Sequence, residues 1–428
     1  MDTIATFIHD TTAGCIDTSV PLARELETEL TKRPAIAPDS GGEGEIDKCE
    51  FLESWLMAHG ITRLERFDAP DERAKKGIRP NLVATIPGQQ DTQRLWIMSH
   101  LDVVPPGELK LWQSDPWTVI LKEDGTLGPR FVGRGVEDNQ QGLVSSVIAA
   151  LALVKNNITP AYTVKLLFAA DEEVGSAYGI HWLLKNKGYL FRKDDMVLIP
   201  DGGDPNGESI EIAEKNLLWL KLTTKGLQTH GSRPDQGNNA HLAGAYLAVA
   251  LYEGLSCAFS AHNPLFEPDY STFQPTKKEA NVPNVNTIPG EDVFCMDMRI
   301  LPQYPLEDVL TEIGIIKSGI EKRFGVTITW EILQRSESPA TPEDSVFVKK
   351  LSKAIEDVYH VETRCIGIGG GTVAAPLRSM GIDAAVWSRI DGVAHQPNEY
   401  ALIKNILGDA KVMALLMIGN ERQQETRS

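Results

Sequence analysis

Apolar residues along this chain recur with two distinct periods. In PLARELETEL, Leu22, Leu26 and Leu30 fall four apart and mark one face of a helix, and DKCEFLESWLMAHG predicts a second helix that stops at Gly60. APDSGGEGE between them reads as a loop. Short apolar runs then predict strands: LVATIP (82–87), RLWIMSH (94–100), TVKLLFAA (163–170), MVLIP (196–200) and AAVWS (384–388). Helical patterns separate several of these, notably GLVSSVIAALALV from Gly142. Strand and helix therefore alternate as in an α/β fold with a mainly parallel sheet.

The middle of the chain has another rhythm. From Leu217 it reads strand (LLWLKLTT), helix (AHLAGAYLAVALYEGL), strand near Val285, strand (VFCMDMRI), helix (LEDVLTEIGIIKSGIEKRF), strand (VTITWEIL). That β-α-β-β-α-β order predicts a ferredoxin-like α+β domain inserted over residues 215–332. Residues 1–214 and 333–428 then form one discontinuous α/β domain around it. The Pro-containing stretches VVPPGEL and EPDYSTFQPTKKEANVPN read as loops.

Composition narrows the function. The 428 residues are 42% hydrophobic and carry a formal charge of −17, with no Lys/Arg run, so a nucleic acid or an anionic membrane is not the expected partner. No stretch of about 18 apolar residues is present, and the N-terminus lacks a basic leader followed by an apolar core, so the expected location is cytoplasmic. The cysteines, Cys15, Cys49, Cys257, Cys295 and Cys365, are scattered and form no CxxC pair. A metal site would have to use imidazoles and carboxylates.

Those side chains collect at the ends of the apolar runs. VKLLFAADEEVGS places Asp171, Glu172 and Glu173 where a buried strand ends, an arrangement that calls for a compensating cation. RLWIMSHLD ends on His100 and Asp102, MVLIPDGG on Asp201, and His395 follows AAVWS in DGVAHQPNE. Asp138, in GRGVEDNQQG, directly precedes a predicted helix. Any one of these is an ordinary turn or surface residue. Together they converge, because ligands of open α/β sheets sit outside the carboxyl ends of the strands. Two imidazoles with several carboxylates suit divalent zinc, cobalt or manganese, and the excess of carboxylates favours two ions sharing a bridge.

In order, SHLDVVP, the Trp112–Trp117 segment, GRGVEDNQQG, DEEVGS, PDGG, THGSRP, NVNTIPG, DMRI and AHQPNE resemble the motifs of the M20 metallopeptidases. This family includes acetylornithine deacetylase, succinyl-diaminopimelate desuccinylase, glutamate carboxypeptidase and carnosinase-type dipeptidases. The resemblance implies a zinc-exopeptidase-like α/β domain with an inserted domain that serves as lid and dimerisation surface, and hence a homodimer. It implies that His100 and Asp201 bind one metal, Glu173 and His395 a second, and Asp138 both. Zn²⁺ is the expected metal, with Co²⁺ or Mn²⁺ as alternatives. Asp102 would orient the His100 imidazole. Glu172 would be the general base, taking a proton from water held between the metals so that hydroxide attacks an amide carbonyl.

From the inserted domain, the resemblance implies that His230 stabilises the oxyanion at a neighbouring subunit's site, with an exposed loop histidine as the plain alternative. Asn286 and Arg299 would grip substrate, with a structural salt bridge as the competing reading of Arg299. The loop around Gly370, Gly371 and Thr372 would offer backbone N–H groups to an anion, or is only a tight turn. One departure is that Gln140 and Gln141 stand where many relatives have a lysine soon after the bridging aspartate. The expected activity is hydrolysis of an amide in a small carboxylate-bearing substrate, a dipeptide or C-terminal peptide bond, with N-acyl amino acid deacylation as the alternative. A catalytically silent ligand binder is the rival from another class, and a paired-carboxylate glycosidase would leave His100 and His395 unexplained.

Overall fold

A computed structural model describes residues 3–123 and 125–419. The chain divides into two compact units, one formed by Met1–Ile212, Thr341–Cys365 and Pro376–Ser428, the other by Ala213–Ala340 and Ile366–Ala375.

The first unit is α/β. Its sheet runs in the order Leu64–Pro70, Ile78–Ile86, Tyr162–Ala169, Gln90–His100, Met196–Gly203, Asp383–Ser388, Ser209–Glu214, Arg364–Ile368. The strand Gln90–His100 pairs in parallel with both Tyr162–Ala169 and Met196–Gly203, and Asp383–Ser388 pairs in parallel with Met196–Gly203. The centre is thus parallel and its carboxyl ends share one edge. The predicted strand at 82–87 departs from this: Ile78–Ile86 runs antiparallel to both of its neighbours, so the sheet is mixed.

Apolar runs form the parallel strands because both of their faces are covered. The helix Gly142–Lys155 is buried over Gly142–Leu153, which explains why its sequence is apolar all round. It packs on the C-terminal helix Ile403–Ile418. Gly142 is required where that helix starts: a Cβ there would lie 2.4 Å from the Pro200 carbonyl oxygen, next to Asp201.

The second unit is α+β. An antiparallel sheet in the order Thr272–Lys278, Glu291–Ile300, Asn216–Lys225, Thr327–Ser336 is covered by the helices Ala240–Ala258 and Leu306–Phe324. Leu218, Leu220, Leu222, Leu247, Leu251, Phe273, Met296, Met298 and Ile313 form its core. The strand expected near Val285 is the two-residue Thr287–Ile288, which pairs with Thr229–His230 outside the four-stranded sheet. Val285 is fully exposed, and the edge strand is Thr272–Lys278, inside a stretch that reads as a loop. Only Phe273 of that strand is fully buried, so it carries almost no apolar alternation, and its Pro275 is tolerated because the strand lies at an edge. Among the described residues no helix is long and apolar enough to cross a membrane.

Candidate metal centre

The parallel strands deliver the candidate residues. His100 ends Gln90–His100, Asp201 lies in Met196–Gly203, Tyr162–Ala169 leads into Asp171–Glu173, and Asp383–Ser388 leads into the turn that carries His395. His100 Nε2 lies 2.9 Å from Asp138 Oδ1 and 3.6 Å from Asp201 Oδ1. His395 Nε2 lies 3.0 Å from Asp138 Oδ2 and 3.0 Å from Glu173 Oε2. Asp138 thus presents one oxygen to each imidazole. Two groups, His100–Asp138–Asp201 and Asp138–Glu173–His395, each bring their ligand atoms within 4.8 Å of one another.

The surrounding hydrogen bonds fix these side chains. His100 Nδ1 lies 2.9 Å from the Asp102 carbonyl oxygen; a carbonyl only accepts, so Nδ1 carries the proton and the Nε2 lone pair faces the site. The Asp102 carboxylate stands 3.5 Å from Nδ1 and also accepts, at Oδ1 and Oδ2, the backbone N–H groups of Glu172 and Glu173, each at 3.0 Å. Asp102 thus serves both the imidazole and the neighbouring loop. Its main chain orients the imidazole, while its side chain holds the neighbouring loop, because that loop presents two N–H groups that would otherwise be buried without partners.

Three consecutive acids separate into different tasks. Asp171 adopts a left-handed backbone (φ 68), and its carboxylate meets Arg79 Nη2 at 2.9 Å and accepts the Tyr178 N–H at 2.9 Å. Arg79 is fully buried and also pairs with Glu45. Asp171 is therefore turned to a buried guanidinium, leaving Glu172 and Glu173 to the site.

Electrostatics test whether the site suits a cation. Burial, reinforced by Asp201, pushes the Glu172 carboxyl up to about 8; burial and Asp138 push Glu173 up to about 7. Burial likewise raises Asp201. The His395 imidazole is raised to about 9 by its hydrogen bond to Asp138, and Glu173 Oε1 is buried without a hydrogen-bond partner. Carboxylates buried together at this edge would be neutralised by a divalent cation. A set of two imidazole nitrogens and shared carboxylates, with one orphaned oxygen, fits divalent cations.

The other unit assembles its own candidates. An antiparallel ribbon pairs Thr229–His230 with Thr287–Ile288, and the Gly231 N–H donates to the Asn286 carbonyl, so His230 and Asn286 are neighbours. His230 Nδ1 accepts the Ser232 N–H at 3.2 Å, which puts the imidazole proton on the exposed Nε2. Arg299 grips Asp297 with Nε at 2.7 Å and Nη2 at 3.1 Å and donates from Nη1 to the Gly369 carbonyl at 2.7 Å. This is the salt-bridge reading of Arg299. Thr372 requires a correction as an anion donor: its N–H and hydroxyl are held by the buried Glu214 carboxylate at 2.9 and 2.6 Å. Gly370 and Gly371 remain as the free part of that cradle.

Sequence reasoning missed several supports. Asn139 donates to Asp201 Oδ1 and the Pro200 carbonyl, both at 2.7 Å, and accepts the His100 N–H at 3.3 Å, joining two strand ends. Glu399, the last residue of AHQPNE, accepts from the main chain around Asp138. Its place in that motif was the available signal; nothing marked Asn139 apart from its neighbours.

The model of peptidase family M20/M25/M40 matches residues 96–418. The chain belongs to this family. It is 40% identical over 404 residues to an uncharacterized metallohydrolase of Methanocaldococcus jannaschii, covering 91% of this chain and 97% of that one. It is 26% identical to the succinyl-diaminopimelate desuccinylase of Pseudomonas fluorescens, over 74% of this chain and 80% of the relative. Among solved structures, aminopeptidase PepT of Bacillus cereus superposes with a TM-score of 0.72 at 17% identity, covering 92% and 97% of the two chains, a likeness of fold. The protein is thus an M20 metallohydrolase with a candidate dinuclear site.

Proposed function

We propose that this M20 enzyme hydrolyses an amide bond in a small carboxylate-bearing substrate, a dipeptide or the C-terminal bond of a short peptide. The observation that carries the reading is the split of Asp138, one oxygen toward His100 and the other toward His395. His100, Asp138 and Asp201 would hold one ion and Asp138, Glu173 and His395 the other, with Zn²⁺ the first choice and Co²⁺ or Mn²⁺ as alternatives. Divalent ions there supply Lewis acidity toward the amide carbonyl and acidify water.

Glu172 is the base. Its side chain belongs to neither ligand group, and Asp102 holds its main chain beside Glu173, so its carboxylate can take a proton from water there and release it again. Glu172 takes one proton as the water oxygen bonds to the carbonyl carbon, then delivers it to the leaving nitrogen as the C–N bond breaks. A carboxylic acid and an amine result, and the acid's proton passes to the amine to give carboxylate and ammonium. His230, with its proton on Nε2, would donate to the oxyanion in a partner subunit's site. Asn286, the free donors of Arg299, and the N–H groups at Gly370 and Gly371 would bind the substrate carboxylate.

The homodimer would form through the inserted unit, where Leu242, Tyr246, Val249 and Tyr252 expose apolar area along the helix Ala240–Ala258. The cysteines are free, in keeping with a reducing cytoplasm. A second reading, N-acyl amino acid deacylation, is favoured by the likeness to desuccinylases.

The test is metal analysis of the purified protein together with mass-spectrometric assay on matched dipeptides and N-acetyl and N-succinyl amino acids. Hydrolysis of dipeptides that chelation abolishes supports the first reading; exclusive cleavage of acyl groups selects the second. Turnover that survives complete removal of metal overturns both.

A further inference from the structure

His395 is the least enclosed member of the two groups, with its side chain 55% exposed, and it sits in a left-handed backbone (φ 63) within an irregular turn. A non-glycine residue in that conformation persists only where its surroundings hold it. The holding group is Glu137, the residue before Asp138. Glu137 is buried, and its Oε1 accepts the Asp391 N–H at 2.8 Å while Oε2 accepts the Val393 N–H at 2.6 Å. Both donors lie in the few residues leading into His395.

The far end of the same turn returns the contact. Glu399 is fully buried; its Oε1 accepts the N–H groups of Glu137 at 2.9 Å and Asp138 at 3.0 Å, and its Oε2 accepts the Gly135 N–H at 3.1 Å and pairs with Arg134. The segment bearing Asp138 and the segment bearing His395 are therefore clasped twice, by a carboxylate from each onto the main chain of the other. A buried carboxyl group that accepts two N–H groups leaves both without acceptors when it is removed. Neither Glu137 nor Glu399 belongs to a group that could hold an ion.

We propose that Glu137 is a positioning residue that sets His395 against Asp138 and so determines whether the second of the two metal sites is formed. The inference rests on the proposed role of His395 as a ligand. With the Asp391 and Val393 N–H groups released, the turn loses its buried anchor at the entry to His395, while His100 and Asp201 keep their supports in Asn139 and the carbonyl of Asp102, and the Asp138 N–H keeps the Glu399 carboxylate.

The experiment is calorimetry of Zn²⁺ binding to the metal-free full chain, comparing wild type, His395→Ala, Glu137→Ala and Glu137→Gln. The expected result is two binding events for wild type, one for His395→Ala, and for Glu137→Ala a first event unchanged with a second weakened by about tenfold to a hundredfold. Glu137→Gln, which keeps one acceptor oxygen, falls between. If His395→Ala loses an event while Glu137→Ala and Glu137→Gln retain both at wild-type affinity, the proposal is overturned. Equal weakening of both events in Glu137→Ala and Glu137→Gln, with a lowered melting temperature of the metal-free protein, overturns it in favour of a general role in folding. Two unchanged events in His395→Ala would instead overturn the ligand assignment beneath it.

Discussion

The Asp102 carboxylate accepts the backbone N–H of Glu173 at 3.0 Å, so the residue two places after His100 holds the chain that presents Glu173. Asp102→Ala would leave that N–H and the Glu172 N–H buried without acceptors and would remove a charge from beneath the site. We expect metal affinity to fall about 10- to 100-fold, as for other groups that support ligands, and kcat to fall with it. Asp102→Asn, retaining one acceptor oxygen, should show a smaller loss. Metal content after dialysis, read beside kcat, separates this from a change in chemistry alone.

Glu172 makes a contrasting case. Its side chain belongs to neither ligand group, so Glu172→Gln should bind metal as wild type does while kcat drops by about 10²- to 10⁴-fold, the range for loss of a positioned proton carrier. Metal analysis by mass spectrometry on the same preparation used for kinetics provides the check. Loss of metal in Glu172→Gln would make the residue a structural part of the cluster.

Chelation should act on stability as well as on turnover. Burial pushes the Glu173 and Asp201 carboxyls up, so cations bound there would stabilise the folded state. An ion at about 100 times its dissociation constant stabilises the fold by about 2.7 kcal/mol. Melting curves with EDTA and with Zn²⁺, Co²⁺ or Mn²⁺ restored should differ by several degrees, and activity should return with the metal. Equal melting temperatures would mean that Glu173 and Asp201 do not bind the ions.

Asp409 supplies a pH dependence away from the metal centre. It is fully buried under Ser388, Tyr359 and Gln141, and burial pushes its carboxyl up to about 6 from 3.8. Because the folded-state value is raised, the native protein keeps a proton that the unfolded chain has already released. Stability therefore falls as pH rises from about 4 to about 6, by about 3 kcal/mol, and levels off above. Asp409→Asn removes this slope. Denaturant unfolding of wild type and variant across that range gives the difference directly, and parallel profiles would refute it.

Much of this site was legible because its residues fall where apolar runs end, and the parallel strands put those ends on one edge. Periodicity reported the helix Leu306–Phe324 to its exact ends because a buried stripe alternates with charge along it. The edge strand Thr272–Lys278 was invisible for the opposite reason, with one fully buried side chain and a proline. The supports of the site were hidden too. Glu45, Arg79, Glu137 and Glu399 look like surface charges in the sequence, and only the fold brings each to a buried partner far along the chain. Thr372 misled because a glycine-rich loop advertises free donors, while Glu214, which takes them, lies more than a hundred residues away.

The trans role proposed for His230 can be tested by complementation. His230→Ala should lower kcat with little change in metal content, since His230 lies in the second unit on the ribbon with Thr287–Ile288 and belongs to neither ligand group. If each site draws Glu172 from one subunit and His230 from its partner, then a mixed dimer of His230→Ala and Glu172→Gln chains contains one intact site. Equal mixing with full exchange of subunits makes half of the dimers mixed, so recovery should approach about a quarter of wild-type activity. Neither variant alone can supply that recovery. Exchange that proceeds without it would show that His230 serves its own subunit, and Leu242→Glu, placed on the exposed apolar helix face, should then leave activity intact even if it yields monomers.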